Sequence, residues 1–255
     1  MSGTLSITPI LDFPRVKPGD DLAALLIAAF QANSLAPQDG DILVLAQKIV
    51  SKAEGRHVDL ATVKPSERAR QLAAATDKDP RLVELILQES RRVVRQAPGV
   101  LVVEHRLGFI MANAGIDASN VDPAMGDEPV LLLPENPDRS ATALRDRLRA
   151  TFGKNLAVII SDSFGRPWRH GTVGIAIGAA GLQALIDLRG QPDLYGRALR
   201  ATLVGFADEV AAAASLVMGQ SAEGRPAILV RGLAYASADG SVADLVRKPE
   251  EDLFR

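Results

Sequence analysis

The chain has 255 residues, 47% hydrophobic and 24% charged, with a formal net charge of −2. That is enough apolar material for a substantial core in one large domain or two smaller ones, and it leaves no global basic field for nucleic acid or an anionic membrane. The absence of cysteine excludes a thiol nucleophile, disulfides, zinc–thiolate sites and iron–sulfur clusters, and the three scattered histidines, His57, His105 and His170, argue against a zinc enzyme.

In chain order, Leu5 to Ile10 reads as a first strand. Residues 15–21 form a turn whose final Asp can cap a helix running to about Asn33. Asp39-Gly40-Asp41 is a turn before the strand Ile42 to Ala46, and the polar run 47–56 after it reads as a strand-end loop. Ser66 opens a helix to Ala75, and Pro80 begins another that ends near Ser90, because a first-turn proline loses no internal hydrogen bond. Val93 to Ala97, Val100 to His105 and Gly108 to Ala112 read as strands. The proline- and acid-rich stretch 128–139 reads as a loop between two lobes of a single unit covering 1–255. A helix over Ala141 to Thr151 follows, then a buried strand over Leu156 to Ile160. The uncharged Gly/Ala-rich run from Val173 to Leu182 suits tight backbone packing or a subunit interface. Leu203 to Met218 reads as a well-buried helix and Ile228 to Val230 as a late strand. Strands and helices mix without steady alternation, so the expected class is α+β, with mixed sheets and packed helices. There is no positively charged start followed by an apolar core, and no apolar run of spanning length, so the expected location is the cytoplasm.

Two polar runs follow apolar strands: Asn113 to Asp122, and Ser161 to Gly171. Carboxylates, amides and hydroxyls on such supports are the oxygen ligands that Mg2+ or Mn2+ prefer. Asp117, Asn120 and Asp122 can equally be turn formers, but Asp162-Ser163 offers a second carboxylate and a hydroxyl that could converge on the same ion. Arg166 and Arg169 could clamp phosphate, or form a basic surface turn anchored by Trp168. The run 47–56 lacks the glycines of a Walker loop, though its lysines could neutralise phosphate. Gly174, Gly178 and Gly181 lack dinucleotide-fingerprint spacing, which weakens a hydride-transfer reading. The loop 218–226 could wrap a base or ribose, or simply end a helix at Gly219.

Several runs, in order and spanning nearly the whole chain, resemble the coenzyme F-420 gamma-glutamyl ligases: Val50 to Arg56, Asn113 to Val121, Ser161 to Gly171, Asp193 to Arg197, Ala207 to Ala212 and Val230 to Leu233. The resemblance implies an α+β, two-lobed subunit in an intertwined homodimer, without the C-terminal flavin-reductase-like domain of some relatives. It implies GTP-dependent addition of L-glutamate to a deazaflavin precursor, through an acyl phosphate, with two divalent cations (Mn2+ or Mg2+) per site and K+ in support. Asp117, Asp162, Ser163 and Gln220 fall on metal positions. Phe13, Pro14, Arg15, Val16, Gln47, Lys48, Lys52, Asn120, Met218, Gly219, Gln220, Ser221, Gly224 and Arg225 fall on nucleotide-contacting ones. Lys52, Asp162 and Arg169 are the expected catalytic residues. The alternatives are the same chemistry on another carboxylate acceptor, or a GTP-binding module without turnover.

Overall fold

The computed structural model describes residues 3–252. In chain order its strands and helices are β1 (Ser6–Pro9), α1 (Leu22–Ala32), β2 (Ile42–Ala46), α2 (Gln47–Ala53), β3 (His57–Asp59), α3 (Glu67–Thr76), α4 (Pro80–Gln88), β4 (Ser90–Ala97), β5 (Val100–His105), β6 (Ile110–Ala112), β7 (Pro129–Leu131), α5 (Pro137–Phe152), β8 (Ala157–Arg166), β9 (Arg169–Ala180), β10 (Ile186–Asp187), β11 (Leu203–Val204), α6 (Phe206–Met218) and β12 (Ala227–Arg231). The class is α+β, as the mixed order of elements implied.

The main sheet has five strands in the order β1-β12-β2-β8-β9; β2 and β8 pair in parallel and the other neighbours antiparallel. Strand periodicity divides its side chains between two layers. Leu43 and Leu45 of β2 face Leu26 and Phe30 of α1 and Leu144 and Leu148 of α5. Ile42 and Val44 face Ala207, Val210, Ala211 and Ala214 of α6. A strand covered on both faces needs apolar residues at every position, which is why 42–46 carries no polar alternation. Smaller sheets, β4-β5-β6 and β3-β7, lie with α3 and α4 over their own apolar clusters.

The two expected caps form, and Asp79 adds a third. Asp21 accepts from the Ala24 amide, Ser66 from Ala69, and Asp79 from Arg81 with Pro80 in the first turn. The Gly/Ala run packs within the chain. A Cβ on Gly174 would lie 2.5 Å from the Ala211 carbonyl oxygen of α6, and one on Gly178 2.5 Å from the carbonyl carbon of Pro137 in α5. The edge strand β9 is therefore held between helices by glycines that permit backbone contact.

Four local expectations are corrected. Residues 47–53 are helical, because Ile49 and Val50 bury against the core while the buried polar pair Gln47 and Ser51 satisfy each other by a hydrogen bond one turn apart. The second polar run is a continuation of strand: β8 extends to Arg166 and turns directly into β9, with a bulge beside Ser161. The stretch 128–139 holds β7 and the start of α5, whose Asn136 cap and Pro137 are helix-opening residues that resemble loop composition. Leu203–Val204 is a strand, and the helix starts only at Phe206, after Gly205.

Candidate active site

The end of the β2–β8 pair opens into a cavity of about 550 Å³. Its wall gathers segments remote in sequence: Phe13 to Val16 before α1, Gln47, Lys48 and Lys52 of α2, Asn120, then Asp162 and Ser163 of β8, and the loop from Met218 to Arg225 after α6. Parallel pairing of β2 with β8 explains the convergence, since the strands leave the core side by side, with Ala46 opposite Ser161.

Asp117 reaches this corner from another direction. A sharp turn places Asn113, Ala114 and Gly115 at positive φ (52°, 53° and 64°), after which Asp117 bridges to Leu131 through reciprocal backbone hydrogen bonds of 2.9 and 2.8 Å. Its Oδ2 accepts from Gln47 Nε2 at 2.8 Å and pairs with Lys48 Nζ at 2.9 Å. The Asp162 carboxyl is pushed up to about 7, first by burial and next by the charge of Asp117. The two carboxylates are thus electrostatic neighbours. Ser163 Oγ donates to Gln220 Oε1 at 2.8 Å, which ties β8 to the loop after α6.

Cations line the same cavity. Lys52 Nζ donates to the Asn120 carbonyl at 2.6 Å, and Asn120 Nδ2 donates to the Ser221 carbonyl at 3.0 Å, so three segments are laced together. The Lys52 ammonium is shifted downward, first by burial, then by Lys48, with Arg15 adding to it. Asp122 and Asp117 offset part of that shift, and the ammonium lines an open cavity in which a further anion could pair with it.

The corner offers only oxygen donors, two carboxylates with a hydroxyl and an amide oxygen, and this fits a hard divalent cation. Among the described residues no group of three or more His, Cys, Asp or Glu side chains could hold a metal. A cation here would therefore complete its shell with phosphate and water oxygens, as nucleotide-bound Mg2+ does.

Arg169 stands apart from this wall. It opens β9 opposite Arg166 at the tip of the β8–β9 hairpin and is exposed. His170 is exposed beside it. Trp168 is 88% exposed, with φ of 65°, so it anchors nothing within the chain. The cavity also includes Asp122 and Glu223, weighed in the sequence but not assigned to the site, and Ser161 and Ser215, which were not singled out. Asp122 and Glu223 had a signal in their Asx-rich and glycine-rich loops. Ser215, on a helix that reads as core, had none.

The model of the F420-0:Gamma-glutamyl ligase family matches residues 10–232. The chain belongs to that family. Three curated relatives carry the name Coenzyme F420:L-glutamate ligase. The protein of Methanothermobacter thermautotrophicus is 48% identical over 98% of this chain and 99% of its own length. That of Methanopyrus kandleri is 46% identical over 99% and 98%, and that of Haloarcula marismortui 44% over 95% and 92%. For this gamma-glutamyl ligase family member, every element that builds the cavity lies within the matched residues. Among the described residues, no helix is long and apolar enough to cross a membrane.

Proposed function

We propose that this chain is a GTP-dependent ligase that joins L-glutamate, through an amide bond, to the carboxylate of the deazaflavin coenzyme F420 precursor, acting as a homodimer in the cytoplasm. The observation that carries the reading is one cavity lined by Asp162, Arg15, Lys48, Lys52 and Arg225, with a second carboxylate, Asp117, held beside it by the lining residues Lys48 and Gln47.

A carboxylate does not react with an amine at neutral pH, because it has no adequate leaving group. Attack of its oxygen on the γ-phosphorus of GTP gives an acyl phosphate and releases GDP. The glutamate amine then attacks the acyl carbon, phosphate leaves, and the amine loses a proton. The protein's task in such a sequence is placement and charge compensation. Lys52 and Arg15 would neutralise phosphate oxygens, and the loop 218–225, tied to Ser163 and Asn120, would cover the nucleotide. Asp117, Asp162, Ser163 and Gln220 would hold Mn2+ or Mg2+, which would supply charge neutralisation at the phosphates, with K+ in a supporting role. Support for a homodimer comes from large apolar side chains left in solvent: Trp168 at 88%, Leu194 at 100% and Tyr195 at 84% exposure. Arg169 lies on the same hairpin as Trp168, and its catalytic role rests on such an assembly bringing it to a partner's cavity.

The test is Asp162→Asn. With GTP, Mn2+, L-glutamate and the deazaflavin precursor, product mass should report a loss of glutamate addition of about a thousandfold or more, while the circular dichroism spectrum stays native. Turnover retained in that variant would refute the assignment.

A further inference from the structure

We infer that Lys48 is a resident cation of the paired-carboxylate corner: its ammonium stands against Asp117 where a metal ion would bind, and leaves it when a nucleotide phosphate offers another partner. The inference rests on the metal and nucleotide reading above and extends it to the order in which the ligands enter.

Two donors converge on one oxygen. Asp117 Oδ2 receives Gln47 Nε2 at 2.8 Å and Lys48 Nζ at 2.9 Å. The two differ in their freedom to move. Gln47 is buried, and its Oε1 accepts from Ser51 Oγ at 2.8 Å, so its amide is fixed with the NH2 toward Asp117. Lys48 carries its charge on a four-carbon stem and lines the open cavity. The side chains of Lys48 and Asp117 are 27% and 25% exposed, so solvent screens the pair only in part.

The charge inventory explains why a cation belongs there. Asp117 and Asp162 repel each other, and the charge of Lys48 reaches Asp162 as well as Asp117. Without a cation, the two negative charges at this end of the cavity would stand uncompensated. Lysine answers that need when no metal is bound. The same lysine then opposes a divalent ion, which must share Asp117 with an ammonium a few ångströms away. A triphosphate changes the balance, because it offers the ammonium a new anionic partner within the same cavity. Metal and nucleotide should therefore bind with positive coupling, each favouring the state in which Lys48 has left Asp117.

The experiment is Mn2+ binding to the full chain, read from the free-ion electron paramagnetic resonance signal, with and without GDP. Lys48→Gln should bind Mn2+ roughly tenfold or more tightly without nucleotide, since a unit positive charge beside the ion has gone. Lys48→Arg, which keeps the charge, should resemble the wild type. GDP should tighten Mn2+ binding less in Lys48→Gln than in the wild type. Equal or weaker nucleotide-free Mn2+ binding by a folded Lys48→Gln protein would overturn the inference, and Lys48→Ser serves the same comparison if the Gln variant does not fold. A wild-type protein that takes up no Mn2+ even with GDP would overturn the metal reading itself, and this inference with it.

Discussion

At Glu89, burial and pairing pull in opposite directions. Burial alone would raise its carboxyl above the usual range. The ring of His105 and the guanidinium groups of Arg56 and Arg106 outweigh it and bring the group down to about 2 from an ordinary 4.5. Arg56 Nη2 and Arg106 Nε donate to the same Oε2 at 2.9 and 3.0 Å, and His105 Nε2 lies 3.6 Å away. A carboxylate that is more acidic in the folded chain takes up fewer protons there than when unfolded, so its stabilisation is present above pH 4.5 and is lost as pH falls toward 2. Glu89→Gln should cost about 3 kcal/mol at neutral pH, because it leaves two guanidinium groups without their anion. It should also flatten the acid limb of the stability profile, and urea unfolding across pH checks both. Nothing in the sequence around Glu89 singles it out. Its three cationic or polar partners come from positions 33, 16 and 17 residues away, and only the fold brings them together.

The element that most constrains the site is the β8–β9 hairpin. Asp162 and Ser163 lie midway along β8, and β9 beside them is gripped by α6 at Gly174 and by α5 at Gly178. Gly174 sits directly opposite Ser163, and its missing side chain lets the Ala211 carbonyl of α6 approach. Gly174→Val should therefore destabilise the protein by about 2–3 kcal/mol through overpacking. It should also weaken nucleotide binding, since α6 carries the cavity loop at its C-terminal end. Chemical denaturation and GDP titration measure the two effects. The strand cores at 42–46 and 156–160 were plain in the sequence, because continuous short apolar runs say that both faces are covered. The polar extension of β8 was not plain. Serine, aspartate and glycine have low strand propensity, and only pairing with β9 keeps them extended.

For the whole molecule, the uncovered apolar side chains Trp168, Leu194 and Tyr195 are the test of assembly. Light scattering should return about twice the chain mass of 27.0 kDa, and Leu194→Asp together with Tyr195→Asp should shift it toward the monomer, since association removes exposed apolar side chains from water. A monomer for the unaltered chain would refute the homodimer. The candidate cavity, by contrast, is assembled within one chain by the parallel contact of β2 with β8 and by the loops that follow those strands.

The sequence by itself determined the class of the fold, the helix caps at Asp21 and Ser66, the buried central strands, and, through runs shared with a known family, many of the residues that line the cavity. Each of these follows from local chemistry: side-chain periodicity, hydrogen-bonding caps, or short motifs read in order. The tertiary structure alone decided that 47–53 would coil into a helix, that Lys48 and Gln47 would meet Asp117 across about 70 residues of chain, and that Arg169 would sit outside the cavity of its own chain. Those outcomes depend on which distant surfaces bury one another and on how burial sets neighbouring charges against each other, and no window of sequence contains that information.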